Sequence, residues 1–392
     1  LRTFGKIFLM CLRPQPAMAG EGKIAMKKIR VNLGKNSYDI LICYNELNKL
    51  GPGLRRLNIG SDAIIVTNAG LKKLFGNKIK KLLVTSGFDV KFEIVPDGEK
   101  AKSEKECLKL LNSISKFDAL RRVFIIALGG GVVGDLAGFT ASIYKRGIPY
   151  IQVPTTLLSQ VDSAIGGKTA IDLSAGKNLV GAFYQPKLVF TDTSFLNSLP
   201  EKELISGLAE TIKYGIIKSP DLFSFIEKNY TKILRYDKKC LQRIVHKCSL
   251  IKAGIVEKDE MDNKNVRVVL NLGHTVGHAI EAATNYRKSY SHGQAVALGI
   301  LSSIYIARKM GLLTESSSRR IKNVIKNTGL PVKLKNVNLK DILSAQSHDK
   351  KFIHGKNRFV LPVRIGKVIV KEGVPERMVK EAIKNLYESK KR

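Results

Sequence analysis

The stretch RRVFIIALGGGVVGDLAGF (residues 121–139) sets the fold class of the first half of this chain. A β-branched run leads into three consecutive glycines, and a helix-forming pattern follows them. Gly129, Gly131 and Gly134 have the spacing GxGxxG, in which glycines let the backbone approach a pyrophosphate group at the N-terminus of a helix. The stretch therefore predicts a strand, a phosphate-binding turn and a helix.

One part of the dinucleotide-binding fingerprint is missing. An acidic residue is expected about 20 positions after the glycines, where it binds the ribose hydroxyls. No acidic residue lies between Asp135 and Asp162. The glycines therefore form either a purely structural turn or a nucleotide site whose acid comes from elsewhere. Glu99, which follows a predicted strand in PDGEKAKS (96–103), is a candidate for that acid.

The remainder of the first half alternates short β-branched runs with amphipathic helical stretches. The runs, bounded by Gly, Pro and Asn, predict strands at IRVNL (29–33), YDILIC (38–43), AIIVTN (63–68), DVKFEIV (89–95), RVFIIAL (122–128), YIQVPT (150–155) and KLVFTD (187–192). Alternation of strands and helices favours a mostly parallel sheet covered by helices.

The pattern changes after about Pro200. Long helix-periodic stretches follow one another there, and the next strand signal is RFVLPVRIGKVIV (358–370). We therefore predict an α/β domain at residues 26–198 and a mainly helical domain at residues 199–392. Ligand sites often lie in the cleft between two such domains.

Residues 1–25 are predicted to lie outside this fold. They resemble a signal peptide superficially, but their apolar run IFLMCL (7–12) is shorter than the roughly 7–15 residues of a signal sequence. Because MKKIRVNLG (26–34) is a natural start for a first strand, we expect residues 1–25 to be a disordered extension.

The composition is typical of a globular protein. Hydrophobic residues make up 44% and charged residues 26% of the 392 residues, which argues against a disordered chain. No apolar run approaches the ~20 residues of a membrane-spanning helix. The five cysteines are scattered and lack CxxC spacing, so we expect a reduced, cytoplasmic protein that has no membrane partner.

The net charge of +34 raises the possibility of a nucleic-acid partner, since Lys and Arg neutralise phosphates. No basic–aromatic interleaving, zinc-finger spacing or RNA-binding signature accompanies the charge. We therefore expect dispersed surface lysines and no nucleic-acid partner. Such a surface would help to steer an anionic small molecule to its site.

A long polar run lies at residues 148–186, IPYIQVPTTLLSQVDSAIGGKTAIDLSAGKNLVGAFYQP. Lys168 and Lys177 each follow glycine, which suits phosphate or carboxylate binding because the ammonium and backbone amides can converge. The run is not a P-loop, since Asp162 occupies the position of the first glycine of GxxxxGK[ST]. We interpret the part after the strand as a long loop, and such loops in compact domains are usually functional.

Three of the chain's six histidines fall within residues 270–300. A helix would place His274 and His278 on one face, and His292 can return toward them from a Ser-His-Gly turn. Imidazoles converging with a carboxylate form a typical Zn²⁺ site that leaves one position open. Glu210, on the same predicted helix face as Lys213, could supply the carboxylate. The spacing does not decide which two or three histidines ligate.

Taken together, these blocks resemble the 3-dehydroquinate synthase family over the chain from about Met26 to its end. The matching blocks, in the family's order, are DGEKAKS (97–103), LGGGVVGDLAGFTASIYKRGI (128–148), QVPTTLLSQVDSAIGGKTAIDLSAGKNLVGAFYQP (152–186), GLAETIKYG (207–215), LNLGHTVGHAIE (270–281), SHGQAVALG (291–299) and HDKK (348–351). Several blocks are long and individually specific.

The resemblance implies an α/β NAD-binding domain at 26–198 and a helical metal- and substrate-binding domain at 199–392, in a homodimer. It implies NAD⁺ and a divalent metal, Zn²⁺ or Co²⁺, held by Glu210, His274 and His292. The implied cofactor-binding positions are Asp97, Gly98, Glu99, Lys100, Ala101, Lys102, Gly130, Gly131, Val132, Val133, Gly134, Asp135, Thr155, Thr156, Lys168, Lys177, Phe195, Leu196, Asn197 and Ser198. Glu99 would then supply the missing ribose acid.

The implied reaction converts 3-deoxy-D-arabino-heptulosonate 7-phosphate to 3-dehydroquinate and phosphate. It combines hydride transfer to and from NAD⁺, β-elimination of phosphate and an intramolecular aldol step. The implied substrate contacts are Arg267 and Lys252 to the carboxylate, Lys168, Asn271, His278 and either Lys350 or Lys351 to the phosphate, Asp162, Lys177, Asn178 and Lys213 to the ring hydroxyls, and Arg146 from the other subunit. The phosphate is a plausible base for its own elimination.

The sequence departs from the family pattern in two places. The family's Thr-Asp-x-Asn after an early strand is replaced by Thr-Asn-Ala-Gly (67–70), which puts some adenosine contacts in doubt. Before the histidine motif, EKDEMDNKNVR (257–267) has one extra residue, and Asp262 stands where glutamate is usual. Neither change removes a metal ligand or a substrate lysine.

Two other enzyme classes compete with this interpretation. Another sugar-phosphate cyclase, such as an aminodehydroquinate or 2-deoxy-scyllo-inosose synthase, would share the cofactors; Arg267 and Lys252 favour a carboxylated substrate and argue against the inosose enzymes. A metal-dependent polyol dehydrogenase would release NADH. Lys168 and the Lys177–Asn178 pair argue against that class, because a simple alcohol carries no phosphate.

Overall fold

The computed structural model describes residues 25–118, 122–284, 289–347 and 357–387. The predicted extension therefore lies outside the described residues except for Ala25, and so do Lys350 and Lys351. The strands are β1 (Lys27–Val31), β2 (Tyr38–Cys43), β3 (Asp62–Asn68), β4 (Asp89–Val95), β5 (Val123–Gly129), β6 (Tyr150–Pro154), β7 (Lys168–Leu173), β8 (Gly176–Phe183), β9 (Leu188–Asp192), β10 (Arg358–Arg364) and β11 (Lys367–Glu372).

Helices occupy most of the second half of the chain and connect the strands of the first half. They are α1 (Leu50–Leu57), α2 (Ala69–Leu71), α3 (Asn77–Thr85), α4 (Glu104–Phe117), α5 (Gly131–Ile143), α6 (Glu201–Ile217), α7 (Pro220–Leu234), α8 (Lys238–Val256), α9 (His274–Ala283), α10 (His292–Lys309), α11 (Glu315–Asn327), α12 (Leu339–Ser347) and α13 (Glu376–Lys384). None of the helices in the described part is long and apolar enough to cross a bilayer.

A seven-stranded sheet forms the centre of the first half, in the order β1-β2-β9-β6-β5-β3-β4. The β1–β2 pair is antiparallel, and the other neighbours are parallel. Each of the seven predicted runs contributes one of these strands, so the prediction of a mostly parallel sheet is confirmed. β5 and β9 are buried along their whole length, as expected for strands covered by helices on both faces.

The interpretation of the polar run as one long loop was wrong. After β6, residues 159–163 form a helical turn, and β7 and β8 then form an antiparallel hairpin. Gly166 and Gly167 have φ of +98° and +67°, a bend that side-chain-bearing residues rarely adopt. In β7 the buried residues Thr169 and Ile171 alternate with more exposed ones, as in a strand with one covered face. The many polar residues of the run obscured this alternation in the sequence.

The largest hydrophobic core is shared by the two halves of the chain. It combines β1 and β2 side chains such as Val31 and Ile40 with side chains of the helices, such as Ile212, Ile244 and Leu298. The boundary at residue 198 remains a prediction, since apolar packing continues across it. Two smaller cores lie on opposite faces of the sheet.

Glycines allow α6, α9 and α10 to approach one another closely. A Cβ added at Gly299 of α10 would lie 1.8 Å from the carbonyl oxygen of Gly273, which precedes α9. A Cβ added at Gly293 would lie 1.9 Å from the carbonyl oxygen of Ser206 in α6. Real contacts cannot be this short, so both positions require the absence of a side chain.

We predict that Gly299→Ala destabilises the protein by at least ~1–3 kcal/mol, because the new methyl group must force α9 and α10 apart. The free energy of unfolding by denaturant measures this. Gly254→Ala is the matched control: Gly254 lies within α8, and its added Cβ would meet nothing within 4 Å. That variant should be about as stable as the wild type or more stable by ~0.5–1 kcal/mol. Equal stability of both variants would contradict the packing argument.

Candidate active site

A cleft of about 1470 Å³ lies between the sheet and the helices. Its sheet side is formed by the residues that end or follow four neighbouring strands: Asn68 at the end of β3, Glu99 after β4, Gly130 after β5 and Thr155 after β6. The carboxyl ends of parallel strands are the usual ligand-binding edge of an open α/β sheet. Its other side is formed by residues of α6 and α9 and the start of α10.

The glycine stretch bends from β5 into α5 at this edge. Gly130 is the N-cap of α5 and has no side chain to cover the first amides of the helix. A Cβ at Gly131 would lie 2.9 Å from Ser163 Oγ, and one at Gly134 would lie 2.7 Å from Gln152 Oε1. Gly131 thus keeps the turn open beside the cleft, whereas Gly134 lets α5 pack on β6. This division of roles matches that of a dinucleotide-binding turn.

Most predicted cofactor residues line the cleft, and some do not. The lining includes Asp97, Gly98, Glu99, Lys102, Gly130, Gly131, Val132, Val133, Asp135, Thr155, Thr156, Lys177 and Ser198. The predicted residues that lie outside this lining are Lys100, Ala101, Gly134, Lys168, Phe195, Leu196 and Asn197. Ala101, Phe195 and Leu196 are buried, so their side chains support the loops instead.

Glu99 and Asn68 both line the cleft. Glu99 Oε1 is 3.4 Å from Lys177 Nζ, so the carboxylate of Glu99 has a cationic neighbour. Asn68, in the segment that departs from the family pattern, accepts a hydrogen bond from the Leu71 amide at 2.8 Å and caps α2. The substituted segment therefore still brings a polar side chain to the cleft.

Lys102 is the centre of a buried polar cluster at the floor of the cleft. Its ammonium contacts Asp135 at 2.7 Å and also donates to Asn178. Burial disfavours the charged form of Lys102, but the Asp135 carboxylate outweighs this and raises the pKa of the ammonium. The cluster ties the segment after β4 to the start of α5 and to β8, and it positions Asn178 beside the cleft.

Glu210, His274 and His292 come together where α6, α9 and α10 meet. Glu210 Oε1 lies 3.5 Å from His274 Nε2 and 3.6 Å from His292 Nε2, and the three donor atoms lie within 4.8 Å of one another. His292 also lines the cleft. Two imidazoles and one carboxylate are a typical ligand set for a catalytic Zn²⁺ or a similar divalent cation.

The ends of two helices orient the histidines. His274 and His292 are the first residues of α9 and α10. A capping box holds the start of α10: the Gln294 amide donates to Ser291 Oγ, and the Ser291 amide donates to Gln294 Oε1 at 2.9 Å. His274 Nδ1 lies 3.1 Å from the carbonyl oxygen of Leu272, which leaves Nε2 directed at Glu210.

The charges of this cluster fit a divalent cation. Glu210 is fully buried, and its Oε1 has no hydrogen-bond partner among the described residues. Burial lowers the pKa of His292, but the neighbouring carboxylates of Glu210 and Glu281 outweigh this and raise it to about 10. A potential that attracts a proton this strongly also attracts a metal cation. Lys213 contacts the other carboxylate oxygen of Glu210, Oε2, and is itself fully buried.

His278 lies next to this set but outside it. Its ring centroid is 5.2 Å from that of His274 and 6.2 Å from that of His292, and it lines the cleft. A second group of potential ligands contains His278, Glu281 and His292. Glu281 was missed in the sequence, although its position three residues after His278 placed both on one face of α9.

Asp162 is bound by two groups from the helical half. Tyr214 donates a hydrogen bond to its carboxylate at 2.7 Å, and Lys252 contacts both the carboxylate and, at 2.7 Å, the carbonyl oxygen. Burial disfavours the ionised form, but Lys252 and Lys213 outweigh this and hold the pKa of Asp162 well below its usual range. Asp162 therefore stays ionised and positions Lys252.

Arg267 is buried at the end of a tightly bound loop. Its guanidinium donates to the carbonyl oxygens of Gly166 at 3.2 Å and Glu260 at 2.9 Å. The loop itself is organised by Asp259, whose carboxylate accepts hydrogen bonds from four backbone amides, those of Asn263, Lys264, Val266 and Arg267. Asp259 was not singled out in the sequence.

The remaining predicted substrate residues are more exposed. Lys168 pairs with Asp262, the residue that replaces the family's usual glutamate, so the ion pair links the β7–β8 hairpin to the loop before Arg267. Asn271 ends a short helical turn, Arg267–Asn271. Arg146 is exposed on a turn after α5, with φ of +64°.

Solved structures with the same architecture define the class of protein. One is a 2-deoxy-scyllo-inosose synthase complexed with carbaglucose-6-phosphate, NAD⁺ and Co²⁺, with a TM-score of 0.83, 25% identity, and coverage of 91% of this chain and 99% of that one. Another is a 2-epi-5-epi-valiolone synthase from Streptomyces hygroscopicus with NAD⁺ and Zn²⁺ bound, with a TM-score of 0.82, 25% identity, and coverage of 89% and 96%. The fold is that of the sugar-phosphate cyclases.

Within that class, the chain belongs to the 3-dehydroquinate synthase family. The family's N-terminal model matches residues 92–206, and its C-terminal model matches residues 207–352. A 3-dehydroquinate synthase from Thermodesulfovibrio yellowstonii is 46% identical over 344 residues, which cover 88% of this chain and 95% of the relative. The resemblance stated from the sequence motifs is confirmed.

The geometry predicts different results for two neighbouring histidines. His274→Ala should lose at least about tenfold in Zn²⁺ affinity, because it removes one of three ligands. His278→Ala, the matched control, should keep one Zn²⁺ per chain with nearly unchanged affinity. Metal content after dialysis and competition with a chelator measure both. Equal loss of metal in the two variants would contradict the assignment.

Proposed function

We propose that this protein converts 3-deoxy-D-arabino-heptulosonate 7-phosphate to 3-dehydroquinate and phosphate, with catalytic NAD⁺ and a divalent metal, as a cytoplasmic enzyme. The observation that carries this proposal is a single cleft that joins the glycine turn after β5 to His292 of the donor set. The family membership specifies the substrate, and the two solved cyclases support both cofactors.

NAD⁺ would lie along the carboxyl ends of the strands. The open amides at the start of α5, without a capping side chain, suit the pyrophosphate. Glu99 would accept hydrogen bonds from ribose hydroxyls, with Lys177 as its neighbour. Thr155 and Thr156 would line the inner end of the cofactor site. NAD⁺ and the metal would supply a reversible hydride acceptor and a Lewis acid for the substrate hydroxyls.

Glu210, His274 and His292 would hold the metal beside the substrate. Lys213 would keep Glu210 ionised and oriented, since the two side chains are in direct contact in a buried site. Asp162, Lys177 and Asn178 would orient the ring hydroxyls. Lys252, which contacts Asp162, and Arg267, which donates to the carbonyl oxygen of Gly166, are buried cations that would bind the substrate carboxylate.

The phosphate would be held by Lys168, Asn271, His278 and either Lys350 or Lys351. The ammonium of Lys168 would exchange its Asp262 partner for a phosphate oxygen. The departing phosphate, held by fixed cations, would accept the proton that is lost during its own elimination. The phosphate-binding residues would therefore bind and orient the substrate. No histidine would be needed as a general base for the elimination.

A homodimer would complete the site. Arg146 is exposed next to an outward-facing Ile143, and Leu179 and Phe183 of β8 are also exposed apolar side chains. Exposed apolar side chains suit contact with a second copy, and Arg146 would then reach the phosphate pocket of the other subunit.

The reaction itself provides a direct test. Purified protein with NAD⁺, Zn²⁺ and the heptulosonate phosphate should release phosphate catalytically, with no net accumulation of NADH. Glucose 6-phosphate, which lacks the carboxylate, should release none. The His274→Ala variant, which lacks a proposed metal ligand, serves as the inactive control. Absence of phosphate release, or one NADH formed per substrate consumed, would rule out the proposed reaction.

Mixed dimers test the role of Arg146. When Arg146→Ala and His274→Ala chains are co-expressed with different tags, purified heterodimers should have about half of the wild-type activity, because one of the two sites has all its residues. Each variant alone should be nearly inactive. If Arg146 serves its own subunit, both sites are damaged, and inactive heterodimers would contradict the proposal.

A further inference from the structure

The two ring nitrogens of His292 face different carboxylates. Nε2 lies 3.6 Å from Glu210 Oε1 in the donor set, and Nδ1 lies 3.4 Å from Glu281 Oε2. A neutral imidazole carries its proton on one nitrogen and its lone pair on the other. The group that accepts the proton therefore decides which nitrogen is available to a metal.

His274 has the same arrangement with a different acceptor. Its Nδ1 lies 3.1 Å from the carbonyl oxygen of Leu272, two residues earlier in the chain. That backbone acceptor is fixed by the turn before α9. His292 is the first residue of α10, and its Nδ1 instead faces Glu281, a side chain of the neighbouring helix α9. The orientation of His292 thus depends on one particular residue.

Glu281 is well placed for this task. It lies on α9, and only 11% of its side chain is exposed, so water competes weakly for its carboxylate. A buried carboxylate next to an imidazole N–H both orients the ring and increases the basicity of the opposite nitrogen.

We propose that Glu281 is a positioning residue for the metal: its carboxylate accepts the Nδ1–H of His292 and thereby presents Nε2 to the cation. This rests on the proposed function, because it requires a divalent metal between Glu210, His274 and His292. Glu281 itself does not ligate. It sets the tautomer and the ring orientation of a ligand, and it supplies negative charge near the cation.

The competing arrangement is a metal held by His278, Glu281 and His292. A neutral His292 has one lone pair, so it serves one of the two sets at a time. In the set with Glu210, the buried Oε1 accepts no hydrogen bond from the described part of the chain, whereas Glu281 already accepts one from His292. The geometry therefore favours one metal per chain.

The test compares Zn²⁺ affinities of the full-length chain. Dissociation constants are measured by competition with a chromophoric chelator for the wild type, Glu281→Ala, Glu281→Gln and Glu203→Gln. Glu281→Gln keeps the shape and a neutral acceptor, so it remains informative if the alanine variant folds poorly. Glu203, an exposed glutamate of α6 that lines the same cleft, is the matched control.

We expect Glu281→Ala to weaken Zn²⁺ binding about 10- to 100-fold, and Glu281→Gln to weaken it less. Glu203→Gln should bind as the wild type does. The visible absorption bands of the Co²⁺-loaded protein should change in Glu281→Ala, because a reoriented His292 alters the ligand field. A merely structural effect would lower stability without this spectral change.

Two results would overturn the inference. One is Zn²⁺ affinity within twofold of the wild type in both Glu281 variants. The other is two Zn²⁺ per wild-type chain and one in Glu281→Ala, which would make Glu281 a ligand. Failure of the proposed metal site looks different: His274→Ala would then bind as much metal as the wild type, whatever Glu281 does. Failure of the proposed reaction would appear as absent phosphate release while Zn²⁺ binding still depends on Glu281.

Discussion

The close approach of three helices is the constraint on which the candidate site depends. α9 meets α10 at Gly299, and α10 meets α6 at Gly293, and at both positions a single methyl group would collide with a backbone carbonyl. This close approach places Glu210 of α6 beside His274 and His292, the first residues of α9 and α10, with their donor atoms within 4.8 Å of one another. The glycines thus allow three helices to approach, which brings the donor atoms of Glu210, His274 and His292 together.

Electrostatics determines what this convergence can do. A carboxylate buried without water is costly unless cations surround it. Here Glu210 is contacted by Lys213 and faces two imidazoles, and Asp162 is paired with Lys252 nearby. The ion pairs hold these charges in fixed positions within a largely buried site. Such a preorganised arrangement can stabilise the charge that develops in a polyhydroxylated anion.

Sequence patterns predicted the regular parts of the molecule. All seven sheet strands were recognised because β-branched runs between turn residues carry a local signal, as in β5. The β7–β8 hairpin was mistaken for a loop because its polar face, with Lys168 and Lys177, hid the alternation. Glu281 was overlooked because its contact with His292 is set by the packing of α9 and α10.

By itself, the sequence determined the strand–helix alternation, the glycine turn before α5 and the family, since these depend on neighbouring residues or on long contiguous motifs. The family resemblance also named Glu210, His274 and His292. Only the tertiary structure decided that their donor atoms lie within 4.8 Å of one another and that Glu281 faces the second nitrogen of His292. The contacts of His292 with Glu281 and Glu210, which are 11 and 82 positions away, arise from helix packing. The spacing of residues in the sequence therefore does not predict them.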